Sequence, residues 1–75
     1  MPTSYYVAAT WDAEAGVWIS ESNIPGLHVE AENLGEFEAL VMALAPEMLA
    51  ENENIHDARV LIDFRAQGAR EVAVA

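Results

Sequence analysis

The sequence predicts an α+β domain: a three-stranded antiparallel meander, one helix and a fourth strand, in the order β-β-β-α-β. Three observations carry this. Strand-like runs occupy residues 5–11, 17–22 and 27–31, separated by the turn-rich stretches DAEAG and SNIPG. At Asn33 the spacing of apolar residues changes to the three-four rhythm of a helix, and at 58–66 it returns to alternation. Neither a repeat nor a linker interrupts residues 1–75, so the chain reads as one domain. Strands first, then a helix and a late strand, make an α+β layer arrangement the simplest solution.

In the first run, YYVAATW, Tyr5, Val7, Ala9 and Trp11 share one side and Tyr6, Ala8 and Thr10 the other. Neither side is clearly polar. The loop DAEAG begins with Asp12 and ends with Gly16, which suits a longer hairpin connection. VWISES, 17–22, then folds back. Pro25-Gly26 follows; Pro sets φ at the second position of a turn and Gly supplies positive φ at the third, the chemistry of a type II turn. LHVEA, 27–31, alternates well, with Leu27, Val29 and Ala31 on one side and His28 and Glu30 on the other.

Asn33 is a favourable N-cap, with Glu36 three residues on in capping-box spacing. Glu36 and Glu38 complement the positive end of the helix dipole. Leu34, Phe37, Val41, Leu44 and Met48 form one stripe, widened by Leu40. The predicted helix spans 34–50. Pro46 removes a backbone donor, so a bend near 45 or a second segment is expected. ENENIHD, 51–57, is a polar loop. ARVLIDFRA, 58–66, is the clearest strand, with Val60, Ile62 and Phe64 facing one way and Arg59, Asp63 and Arg65 the other. QGAR turns the chain, and EVAVA, 71–75, is expected as a short last strand or a docked tail. One helix covers one face of a sheet. The first strand is apolar on both sides, so the other face needs a partner or leaves an apolar patch.

Composition points the same way. A 75-residue domain buries only about 60% of the surface its unfolded chain exposes. There is no cysteine, hence neither a disulfide nor a thiolate metal site, yet 53% of residues are hydrophobic. Small scaffolds without staples gain stability by association, so a homo-oligomer, a dimer or tetramer, is expected. The N-terminus has neither the positive charge nor the apolar run of a signal peptide, and no stretch of eighteen apolar residues exists. A soluble, cytoplasmic protein without a membrane role is the expectation. Thirteen Asp and Glu face three Arg, for a net charge of -10. Such a charge repels a phosphate backbone and argues against direct nucleic-acid binding. It serves solubility or draws in a basic protein partner.

Candidate chemistry is sparse. A phosphate loop needs several glycines and usually a lysine ahead of a helix; here one Gly precedes a strand and the chain has no Lys. Ser20 and Ser22 lack the frame of a nucleophile elbow. His28 and His56 have no ligand spacing, so no metal site is expected. Asp12, Glu14, Glu21, Glu30 and Glu32 read as solvated surface charge rather than as paired catalytic carboxylates. No catalytic residue and no cofactor is assigned. Trp11 and Trp18 flank the first hairpin loop. They read either as cross-strand packing or as anchors of an interface.

The stretch 11–41, WDAEAGVWISESNIPGLHVEAENLGEFEALV, resembles the HicB-like antitoxin superfamily. Asp12, Gly16, Asn23-Ile24-Pro25-Gly26, Asn33 and the run Glu36–Leu40 fill the places of its acidic turn, Pro-Gly corner and capped helix. More closely, the chain is similar to small stand-alone bacterial domains with no assigned function, which share DAEAGVW, PGL and a segment matched by Ala45-Pro46-Glu47-Met48-Leu49. The likeness covers roughly residues 5–52. It implies a partial RNase H-like β-β-β-α-β fold in proteins that commonly form dimers or larger oligomers. In HicB antitoxins this domain masks HicA, a small basic RNA-cleaving toxin, while a separate C-terminal domain binds operator DNA. Residues 51–75 read as loop, strand and tail, so that second role is not expected here. The expectation is a non-catalytic, oligomeric protein-binding module; a self-associating structural or small-ligand-binding protein is the alternative.

Overall fold

The computed structural model describes residues 4–75. It contains β1 (Tyr5–Asp12), β2 (Val17–Ser22), β3 (Glu30–Ala31), α1 (Leu34–Asn52) and β4 (Ile62–Gln67). All four strands form one sheet in the order β3-β2-β1-β4. The first three pair antiparallel in chain order, as alternation and turn chemistry predict. The fourth does not prolong the meander: β4 lies parallel to β1 at the far edge, from Tyr5↔Ile62 to Thr10↔Gln67. Only a crossover brings two parallel strands together, and α1 supplies it.

The β1–β2 connection is built by Asp12. Its carboxylate accepts the N–H groups of Glu14 and Ala15, at 3.0 and 3.2 Å, and its carbonyl accepts that of Gly16 at 2.8 Å. At the Pro-Gly corner Leu27 N–H reaches Ile24 O at 3.2 Å and Gly26 has φ +82°, the geometry of the turn that Pro25-Gly26 predicts. The C-terminal turn of α1 closes on this corner: Asn52 Nδ2 donates to Pro25 O at 2.9 Å, and a Cβ on Gly26 would stand 2.8 Å from that nitrogen. Gly26→Ala therefore combines left-handed strain with loss of the Asn52 bond. It should lower stability by about 2 kcal/mol in a urea titration; an unchanged midpoint would show that the corner relaxes freely.

β3 is shorter than 27–31. Ser20 explains why: its N–H donates to Val29 O at 2.9 Å while its hydroxyl accepts Val29 N–H at 2.8 Å. A side chain thus replaces one rung of the ladder, and regular pairing is left to Glu30 and Ala31. The alternation survives, with Leu27, Val29 and Ala31 buried and His28 and Glu30 exposed.

Asn33 caps α1, with φ -140° and ψ 162°; its side chain accepts Glu36 N–H at 2.8 Å, and its amide lies 3.3 Å from Glu36 Oε2. The helix runs through Pro46 to Asn52 without a second segment. The residue whose carbonyl Pro46 leaves without its helical donor is Met42, which is exposed, so water can serve that carbonyl. The buried seam is Phe37, Val41, Ala45 and Leu49, flanked by Leu44 and Met48. Leu34 and Leu40, placed on the stripe by periodicity, are exposed. Past the helix, Asn54 takes φ 54°, a left-handed conformation that asparagine tolerates, and Ile55 N–H returns to Leu49 O.

The seam packs on Tyr5, Val7, Ala9, Trp18 and Ala31 of the sheet and on Ile24, Leu27 and Val29 of the corner. Residues 58–61, predicted as strand, precede the ladder, though Val60 still packs on the core. EVAVA forms neither a strand nor a docked tail; Val72 and Val74 are 80% and 88% exposed.

Candidate interaction surface

Among the described residues no polar or charged side chain is buried, and no three His, Cys, Asp or Glu side chains converge as a metal site. His28 is exposed beside β3, and His56 is exposed with Nε2 3.2 Å from Asn54 Oδ1. All of the carboxylates beyond Asp12 are exposed, spread from the hairpin loop to the C-terminal segment. What the structure offers a partner is surface.

The face of the sheet away from α1 differs from its expectation. Tyr6, Ala8 and Thr10 of β1 lie there, and the sequence predicts either a partner or an apolar patch. Neighbouring strands cover most of it with polar chains, leaving Ile19, opposite Thr10, 36% exposed. Ala8 stands between Glu21 and Arg65 in register and is only 2% exposed. The Arg65 guanidinium lies 4.8 Å over the Tyr6 ring, and Gln67 Nε2 donates to both Thr10 Oγ1 and Glu21 Oε1. The tertiary pairing of β4 with β1 brings these partners together, and no local pattern announces it.

Trp11 and Trp18 are directly opposite across the β1–β2 ladder, with ring centroids 5.2 Å apart and planes tilted by 59°. Trp18 is a core residue. Trp11 is half-buried, with the Arg70 guanidinium 4.0 Å above its ring and Gly68 against its Cβ. Within one chain Trp18 packs in the core and Trp11 at its margin.

Tyr5 ties β1 to the end of α1 by donating to Glu53 Oε1 at 2.8 Å. This bond, helped by burial and the carboxylate charge, pushes the Tyr5 hydroxyl above its ordinary pKa. The folded value is the raised one. Its contribution to stability is therefore complete below the ordinary tyrosine range and disappears as pH climbs through the raised value.

Apolar surface gathers along β4 and the adjoining flank of α1, where Leu34, Met42, Leu61 and Phe64 are exposed. A groove of about 340 Å³ runs between α1 and residues 55–62, lined by Met42, Pro46, Leu49, Ile55, Val60 and Ile62. Sequence reading assigned Val60 and Ile62 to one strand face but had no signal for the groove, which exists because residues 55–61 pass under the helix before the ladder begins. No helix among the described residues is long and apolar enough to cross a membrane.

Comparison with known proteins places this architecture. A solved structure with the same fold is the crystal structure of a hypothetical protein from the extremely thermophilic bacterium Thermus thermophilus. It is 36% identical, with a TM-score of 0.69, and the match covers 96% of this chain and all of that one. No curated protein matches. Residues 4–74 match the family described as a domain of unknown function, DUF1902, and the chain belongs to that family.

Proposed function

We propose that this chain is a non-catalytic, self-associating protein-binding module of the HicB-like type, whose acidic surface receives a small basic protein such as a HicA-like toxin. The observation that carries the reading is the charge distribution. The net charge is -10, and the acids on β2, β3 and α1 point into solvent with no buried counterpart. A surface of one sign steers and orients a partner of the other. Its HicB-like character rests on the acidic hairpin turn at Asp12, the Pro25-Gly26 corner and the Asn33–Glu36 cap, which occupy the positions the resemblance assigns.

The second reading, a self-associating structural or small-ligand-binding protein with no toxin partner, is favoured by the apolar groove beside Pro46, which falls in the size range of small-molecule sites. One titration separates the two. A HicA-like toxin titrated into the protein by calorimetry should bind at low salt. It should lose affinity by an order of magnitude or more between roughly 0.05 and 0.5 M salt, as the Debye length contracts. Salt-independent binding would remove charge complementarity as the mechanism, and no binding would leave the second reading.

A further inference from the structure

β4 is an edge strand: β1 occupies one side and, among the described residues, no strand pairs with the other. An open edge of six residues carrying an exposed phenylalanine is a template for a further strand. The described residues extend 52 Å along the long axis, whereas the 19-residue helix accounts for about 28 Å. The C-terminal segment after Gln67 is exposed, lies in neither helix nor strand, and is unpaired by any backbone hydrogen bond among the described residues.

We propose that residues 69–75 of one copy pair antiparallel with β4 of a second copy, and reciprocally, with Gly68 at the two-fold axis. The proposal deepens the self-association reading by naming its interface. One register fits. With Gly68 opposite Gly68, Val72 lies opposite Phe64 and Val74 opposite Ile62, while on the other face Glu71 lies opposite Arg65. The first two pairs add β-branched side chains to the apolar margin beside α1, where Phe64 is 39% exposed against Ala9, Leu34 and Phe37. The third joins opposite charges across strands.

Two observations support this parity. Ile62 and Phe64 stand in register with Tyr5 and Val7, whose side chains face the helix. Arg70 lies over Trp11, which shares that face, so even-numbered side chains remain on the helix side beyond Gly68. All three arginines lie within 59–70 and the acids dominate elsewhere, so pairing these segments with each other avoids bringing two acidic bodies face to face. Exchange between copies is favoured over a hairpin within one chain because Gly68 packs on Trp11, a Cβ there standing 2.9 Å from Trp11 Cβ, and Arg70 continues outward over the indole.

The chain contains no cysteine, which permits a direct test. Phe64→Cys and Val72→Cys are both at exposed positions, so folding is retained. Opposed positions of a ladder have the Cα separation a disulfide needs, whereas residues 64 and 72 of one extended chain are about 26 Å apart. After mild oxidation, the double variant should run at twice the 8.2 kDa chain mass without reductant and return to it with reductant. Each single variant should stay mostly uncrosslinked. A disulfide within one chain, or none at all in a protein that light scattering shows to be a dimer, would overturn this interface and leave self-association standing. A monomer at every concentration would overturn both.

Discussion

Phe37→Ala should cost about 3–5 kcal/mol, the range for removing a buried aromatic ring and leaving part of its volume empty. Phe37 is 2% exposed, on the first full turn of the α1 seam, and the ring fills the space between helix and sheet. The loss is large because the whole is small: 75 residues at the usual density of stability amount to roughly 4–11 kcal/mol. The midpoint of thermal unfolding should fall by roughly 15–30 °C. Leu40→Ala on the same helix, at a residue 41% exposed, should stay within about 0.5 kcal/mol of the parent. Both are read by circular dichroism in urea at one protein concentration, since association would otherwise shift the apparent stability. Equal losses at the two positions would mean that the seam has been assigned to the wrong side of the helix.

The two tryptophans should separate just as clearly. Trp18→Ala removes a side chain that is 9% exposed, on an interior strand of the sheet, and should cost about 3–5 kcal/mol. Trp11→Ala forfeits the tilted ring pair and the stacked Arg70, together about 1–3 kcal/mol, and should leave a folded protein. Near-ultraviolet dichroism and a urea midpoint distinguish the two. The contrast bears on association: a change of oligomeric state in Trp18→Ala reports unfolding, whereas one in folded Trp11→Ala reports the stacking that directs the C-terminal segment. A Trp18 variant as stable as the parent would remove Trp18 from the core.

The parts of this fold that depend on a few consecutive residues were legible in the chain. Asp12 to Gly16 builds a hairpin loop because a carboxylate can accept nearby N–H groups and Gly takes positive φ. Pro25-Gly26 builds its turn for the same kind of reason. Asn33 and Glu36 start the helix at the expected residue, and alternation correctly buries Leu27, Val29 and Ala31. For the candidate surface, the acidic excess and its split from the arginines were also readable, because charge needs no fold to be counted.

Long-range pairing settled the rest. Where β4 would lie could not be read, because strand alternation says which face a side chain takes and nothing about its neighbour. Once β4 stands parallel to β1, Arg65 covers Tyr6 and Gln67 bridges Thr10 and Glu21, so the far face is largely polar, with Ile19 its exposed apolar residue. The helix stripe was right in period and displaced in phase, since a broad apolar arc at Leu34, Leu40 and Leu44 leaves the packing partner to choose the seam, and the sheet chose Ala45 and Leu49. Ser20 shortened β3 through a hydroxyl whose target is nine residues away. Elements, caps, turns and the sign of the surface are written into short stretches of chain, because backbone chemistry over a few residues is enough to set them. The open edge of β4 and the apolar side chains left exposed are not, because both depend on what distant parts of the chain cover.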